Sequence, residues 1–401
     1  MKIGILTFHQ SVNNGAVMQA YSLSKRLKKE YPDALVEIID YRKKSVDEAY
    51  AFRFRDYIKS TSLTQFIKKS ILLALHPNAL RRKRKRTRVF WDCQNKLPLS
   101  ERRICSDGTE ELELYIQEHY DVLIVGSDAV WNYVTRGFPN AYFPSPALNV
   151  KKMSYAASCY GMDFLNSTDA HKDSIKSVLD AFDFIGVRDT ATEDFVKWSG
   201  CTATAHHTCD PTVFLDVNDL PVDENTIKEK LKKRGFDFSK PTIGIMGSVK
   251  MLKMVRSMFG KNYQLVALYD YLPGADVNLY DLEPYEWAYV FRLFKLTFTT
   301  YFHGTLLSLR NGTPLICISL PTEFSKRHTP KTLDVLTRLG YQDWYFSTDY
   351  KSANFDCIKQ KAQELLKADL HDEIIRAMDK EAQTFDVFNE NLKNILESKN
   401  D

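Results

Sequence analysis

Residues 1–40, MKIGILTFHQSVNNGAVMQAYSLSKRLKKEYPDALVEIID, decide the fold. Lys2 to Phe8 is an apolar run of strand length, and Asn13-Asn14-Gly15 breaks it. Val17, Ala20, Tyr21, Ser24 and Leu27 then recur at helical spacing, which predicts a helix to about Lys29. Leu35 to Asp40 reads as the next strand. Strand, loop, helix, strand is the opening of a parallel α/β sheet.

Downstream the rhythm breaks between Ala49 and Ser106, a stretch rich in Arg, Lys, Phe and Leu that reads as a helical insertion. It resumes with strands at Val122 to Val125, Met153 to Ala157 and Phe184 to Val187. Asp216 to Lys240 is polar, charged and helix-prone, and marks a domain boundary. The second half repeats the pattern, with strands at Thr242 to Met246, Gln264 to Tyr269, Leu296 to Thr300 and Leu315 to Ser319. The expected fold class is therefore α/β, with two Rossmann-like doubly wound domains facing a cleft. The N-terminal domain is expected over 1–215 with a basic insertion at about 49–106, a linker over 216–240, a second domain over 241–370 and a C-terminal helix over 371–401. Ligands of open parallel sheets bind at the carboxyl ends of the strands, so the cleft is the expected site.

Composition agrees. A chain of 401 residues is long for one core. With 44% hydrophobic and 26% charged residues it is globular rather than disordered. The net charge of +4 is too small for a polycation, so basic character must be local. The seven cysteines are odd in number and scattered, without CxxC, which argues against a disulfide framework or zinc knuckle and for a reducing cytosol. No signal-peptide core opens the sequence, and no apolar run approaches the ~20 residues of a membrane span.

Four strand ends carry candidate chemistry. Asn14 and Gly15 follow the first strand; they make either a plain turn or a place where backbone N–H groups meet an anion at a helix N-terminus. GxGxxG is absent, which argues against a dinucleotide dehydrogenase. Ser127 and Asp128, then Trp131 and Asn132, follow Val125-Gly126. Asp128 suits a base or a partner for sugar hydroxyls and Trp131 suits stacking on a sugar face; the other reading is an N-cap beside a core tryptophan. Arg188 ends the strand Phe184 to Val187 and suits bidentate binding of carboxylate or phosphate, or a salt bridge to a nearby Asp. His303 and Gly304 stand at a strand-to-helix junction, where a His serves as general acid or base or binds phosphate. Lys326 and Arg327, after another strand, supply cations to an anionic substrate or lie in a solvated loop.

Together the segments FHQSVNNGAVMQAYSL, DVLIVGSDAVWN, KKMSYAAS, FIGVRD, DPTVFL and TTYFHGTLLSL, in this order, resemble the polysaccharide pyruvyltransferase family. The resemblance runs from about Gly4 to Leu339. It implies a GT-B-like pair of Rossmann-like domains and transfer of a pyruvyl group from phosphoenolpyruvate to a sugar, forming a ketal. It further implies roles for an acidic residue of the first domain, an Arg before a helix and a His at a strand–helix junction, which fall on Asp128, Arg188 and His303. Phosphoenolpyruvate is then a donor substrate; no resident cofactor or metal is expected, and the acceptor is a glycan or lipid-linked oligosaccharide. One departure stands out: some members carry Arg two residues before the His, where this chain has Tyr301, so either Lys326 or Arg327 compensates or the reaction and its donor differ.

Arg81 to Arg88 reads RRKRKRTR. It is a foot on an anionic membrane surface, where each basic residue contributes ~1 kcal/mol, a nucleic-acid contact, or a solvated helix face. Low net charge and the lack of a recognisable module stand against nucleic acid. Two alternatives to pyruvyl transfer remain at this stage, a nucleotide-sugar glycosyltransferase of GT-B type and a nucleic-acid-binding protein. The expected location is cytoplasmic, peripheral at the inner membrane face.

Overall fold

The computed structural model describes residues 1–44, 77–166, 170–350 and 355–397. The apolar segment Phe66 to Leu75 lies outside the described residues. Among the described residues there are fourteen strands: β1 Lys2–Leu6, β2 Leu35–Ile38, β3 Tyr41–Arg42, β4 Ile104–Cys105, β5 Val122–Val125, β6 Lys151–Ala157, β7 Phe184–Val187, β8 Ala205–His207, β9 Thr242–Met246, β10 Gln264–Ala267, β11 Val277–Asn278, β12 Leu296–Thr299, β13 Leu315–Ser319 and β14 Tyr345–Ser347.

They form two six-stranded sheets, ordered β2-β1-β5-β6-β7-β8 and β11-β10-β9-β12-β13-β14, and a small β3-β4 pair. Every pairing in both large sheets is parallel. Strand order reverses between β1 and β5 in the first sheet and between β9 and β12 in the second. Each reversal leaves a crevice at the carboxyl edge where connections diverge to opposite faces. The residues after β5 and after β12 are those carrying Asp128 and His303.

Side chains alternate between faces along each strand. Ile3, Ile5, Val122 and Ile124 enter one core; Leu6, Leu123 and Val125 enter another on the opposite face. The first of these cores runs on into the second domain, taking in Met246, Val266, Tyr285 and Trp287. The helix Asn14–Glu30 lies at this seam, with the Tyr21 ring edge-on to Tyr285 at 4.9 Å. An apolar floor thus joins the domains beneath the cleft.

The last helix, Thr384–Glu397, returns to the first domain. Phe385, Phe388 and Leu392 are buried in the same core as Ile3, and Phe388 meets Tyr155 at 4.9 Å and Phe184 at 5.7 Å. The later part of the insertion is also packed: the helix Pro77–Gln94 buries Phe90 and Cys93, and β4 pairs with β3. Among the described residues no helix is long and apolar enough to cross a membrane.

Truncating Phe388 removes a buried ring from the junction of the two domains. Phe388→Ala should lower stability by about 3–5 kcal/mol, read as a shifted urea midpoint, with both domains losing structure together.

Candidate active site

β5 is followed by Gly126, whose φ of +120° and close approach to the Tyr155 carbonyl leave no room for a side chain: a Cβ would stand 2.2 Å from that oxygen. Asp128 follows with φ +84°, in the left-handed region that non-glycine residues rarely occupy. Its Oδ1 accepts the Ala129 N–H at 2.7 Å, and its carbonyl accepts the Ser158 N–H at 2.9 Å. Such conformations cost about 1–3 kcal/mol and gather at functional sites. This one turns the carboxylate toward Arg188.

Arg188 leaves the end of β7 and is 1% exposed. Nη1 donates to Asp210 Oδ2 at 2.9 Å; Nη2 lies 3.8 Å from Asp128 Oδ1, and Nε 3.8 Å from Asp189 Oδ2. Among the described residues neither Nε nor Nη2 has a hydrogen-bond partner. Burial works against the guanidinium charge, but Asp210, Asp128 and Asp189 outweigh it and hold the proton more firmly than usual. Asp210 is fixed by the Thr212 N–H and hydroxyl at 3.0 and 2.7 Å. Burial would raise its pKa; His303 and Arg188 bring it well below the usual carboxylate range. Asp128 is likewise lowered against burial, by Arg188, Lys331 and His303.

His303 comes from the other domain, in the first turn of the helix Phe302–Arg310. Its Nε2 lies 3.6 Å from Asp210 Oδ2 and 2.7 Å from the Gln19 amide nitrogen. Ser127 donates to Gln19 Oε1, which ties the Gln19 side chain to the turn after β5. The ring rests on Gly15, where a Cβ would fall 2.0 Å from Nδ1. Lys331 opens the helix Lys331–Arg338 and places Nζ 5.1 Å from the Phe302 ring centre and 4.5 Å from that of Tyr160. Burial and the neighbouring Arg188 push its amine down to about 8, against the pull of Asp128, Asp189 and Asp210. Beside Asp128 a cavity of about 390 Å³ opens, lined among others by Gln10, Asn13, Lys43, Arg136 and Asn140. Amides and cations suit a sugar there.

A family model described as polysaccharide pyruvyl transferase matches residues 13–321. The chain belongs to this polysaccharide pyruvyl transferase family. Its matched span contains Asp128, Arg188, Asp210 and His303. Among curated proteins none matches the sequence. Among solved structures it is similar to the UDP-GlcNAc 2-epimerase of Neisseria meningitidis bound to UDP-GlcNAc, at 8% identity and TM-score 0.55, over 98% of this chain and 100% of that one. It is also similar to the UDP-GlcNAc 2-epimerase of Methanocaldococcus jannaschii, at 10% identity and TM-score 0.51, over 92% and 93%. At such identities the likeness is one of fold: two Rossmann-like α/β domains in a GT-B-like arrangement.

The structure brings Asp128, Arg188 and His303 together. Other expected residues go elsewhere. Trp131 is fully buried, donates Nε1–H to the Tyr142 carbonyl at 3.1 Å and packs on Phe143 and Phe182, so no sugar reaches its face. Asn132 caps the turn Tyr133–Arg136 and donates to the Tyr160 carbonyl at 3.0 Å. Gly304 is needed for packing, since a Cβ would meet Thr299 Oγ1 at 2.4 Å. The space above Gly15 is taken by His303 rather than open to an anion, and Asn14 is buried beside it. Ser127 acts through Gln19. Lys326 pairs with Glu323, and Arg327 reaches Asp163 at the cleft rim; both are exposed. Tyr301 donates to Asp270 Oδ2 at 3.2 Å, and the cation at that place is Arg86 of the basic tract, 3.6 Å from Asp270 Oδ1. Three residues went unrecognised in the sequence: Asp210, which opens DPTVFL; Gln19, inside the first motif; and Lys331, which no motif marks.

Gly15→Ala would drive a methyl group into the His303 ring. It should cost about 1–3 kcal/mol and speed amide exchange in the helix Phe302–Arg310. Lys331→Met should stabilise the protein. A lysine whose amine falls from 10.5 to about 8 on folding opposes folding wherever it is charged. The gain, up to ~3 kcal/mol at neutral pH, should fade between about pH 8 and 10.5, as denaturation midpoints across pH would show.

Proposed function

We propose that the protein transfers a pyruvyl group from phosphoenolpyruvate to two hydroxyls of one sugar in a cell-surface polysaccharide precursor, with release of inorganic phosphate. The observation that carries this reading is the meeting of Arg188, Asp210 and His303 across the domain junction, opposite Asp128 on its strained turn. Family membership supports a transferase of this kind.

The chemistry asks for an acid, a base and cations in one place. Protonation of the methylene carbon converts the enol C=C to a methyl group and leaves an oxocarbenium-like centre. A sugar hydroxyl adds to that centre and loses its proton; the C–O bond to phosphate then breaks, and a second hydroxyl closes the ketal. One hydroxyl proton replaces the proton given to carbon, and the other leaves with phosphate, so donor plus diol equals ketal plus phosphate. In this reading His303 is the acid, held by Asp210 and Gln19, and Asp128 is the base, kept ionised by Arg188. Arg188, Lys331 and the uncapped first turn of Phe302–Arg310 face the donor's negative charge. The acceptor is a glycan or lipid-linked oligosaccharide, and the reaction is cytoplasmic.

Incubation of candidate acceptors with phosphoenolpyruvate should add the mass of one ketal, detected by mass spectrometry, with matching release of phosphate. His303→Ala should abolish the product, and Asp128→Asn should lower kcat by roughly 10²–10⁴-fold, both with unchanged circular dichroism. Turnover retained by His303→Ala would reject the assignment of the acid, and product formed from nucleotide sugars instead of phosphoenolpyruvate would reject the donor.

A further inference from the structure

The helix Pro77–Gln94 divides its cations between two faces. Its inner face is committed to the body of the protein. Arg82 stacks on the Tyr271 ring at 4.1 Å, Lys85 pairs with Asp281 at 2.6 Å, and Arg86 donates to the Tyr269 carbonyl at 2.9 Å, all in the second domain. Further along, Phe90 and Cys93 are buried in the core that joins the domains, and Gln94 donates to the Ser11 carbonyl at 3.0 Å. Arg81, Arg84, Arg88 and Trp91 follow one another at steps of three, four and three residues. With about 100° of turn per residue, these steps gather them into one stripe opposite the inner face. All four are exposed, Trp91 at 36%. Among the described residues none of the three arginines has a hydrogen-bond, ion-pair or ring partner. The helix carries one acidic residue, Asp92.

We propose that this stripe docks on an anionic lipid surface. Arginines that the protein leaves without counter-charge are drawn to a layer of negative headgroups, and an indole among them sits at the boundary between headgroup and acyl chain. The stripe is the convex ridge of a helix, which meets a plane. Single-stranded nucleic acid is held instead in grooves, and a net charge of +4 gives the whole molecule little pull on a duplex. The inner face ties the ridge to both domains, so docking would fix the orientation of the cleft as well. That the docked cleft then meets a lipid-borne acceptor rests on the pyruvyl-transfer reading; the docking does not.

Co-sedimentation of the full chain with vesicles, without phosphoenolpyruvate or acceptor, tests the docking independently of turnover. Vesicles of equal parts phosphatidylglycerol and phosphatidylcholine should bind the protein at least about tenfold more tightly than phosphatidylcholine alone, and raised salt should release it. Arg81→Gln with Arg84→Gln and Arg88→Gln should lower that binding at least about tenfold. Lys367→Gln with Lys380→Gln and Lys393→Gln removes the same charge from exposed positions on the C-terminal helices and should lower it less than about twofold. Brominated phosphatidylcholine in the anionic vesicles should quench tryptophan fluorescence, and Trp91→Phe should abolish the quenching. Equal binding to the two kinds of vesicle, equal losses in the two triple variants, or quenching that survives Trp91→Phe would overturn the proposal. An oligonucleotide bound more tightly than the vesicles, and lost in the same arginine variant, would overturn it in favour of nucleic acid. If ketal formation fails while the vesicle pattern holds, the pyruvyl-transfer reading falls and the docking face stands.

Discussion

The architecture around the cleft depends on one buried carboxylate. Asp210 Oδ2 accepts from Arg188 at 2.9 Å and faces His303 Nε2 at 3.6 Å. A guanidinium that is 1% exposed persists in the charged form only where carboxylates surround it. Removing one member of such a group leaves an uncompensated charge, at a cost of about 3–5 kcal/mol. Asp210 thereby ties the end of β7 to the loop after β8, and ties both to the second domain. The same field that holds Asp210 and Asp128 ionised burdens Lys331, which sits near Arg188 and shares its carboxylates. Charge is conserved locally, and each group's protonation follows from its neighbours.

A second constraint is steric. His303 and Gly15 each lie in the first turn of a helix, and the two turns abut across the domain junction. Only a residue without a Cβ lets the imidazole come so close. Gln19, one turn further along the same helix, then reaches Nε2, and Ser127 orients Gln19. A helix that reads as routine in sequence thus becomes the support on which a residue of the other domain is oriented. The apolar seam under it, from Val17 to Trp287, and the returning C-terminal helix hold the two domains in that relation.

Much of the fold was legible. The parallel strands and their order of appearance follow from apolar runs and breakers. Boundaries drifted where a strand frayed into its loop, as at Leu6 and Ala267, and β14 was missed because three residues carry little periodicity. Asp128, Arg188 and His303 were legible because each comes within a few residues of the end of a buried strand and differs in kind from it. Trp131 misled for a related reason. Its place near a strand end suggested the cleft, yet the left-handed turn at Asp128 carries the chain inward, where the indole N–H finds the Tyr142 carbonyl.

By itself the sequence determined two doubly wound domains, a cleft between them and three polar strand ends, since periodicity and chain breaks are local properties written within a few residues. Only the tertiary structure decided that Gln19, Asp210 and Lys331 belong with them, and that Arg86 occupies the place where Tyr301 offers no cation. Those groups are separated by tens to hundreds of residues and meet only once two sheets have packed. What brings them together is burial, and the need of each buried charge for an opposite one is not visible in any short stretch of chain.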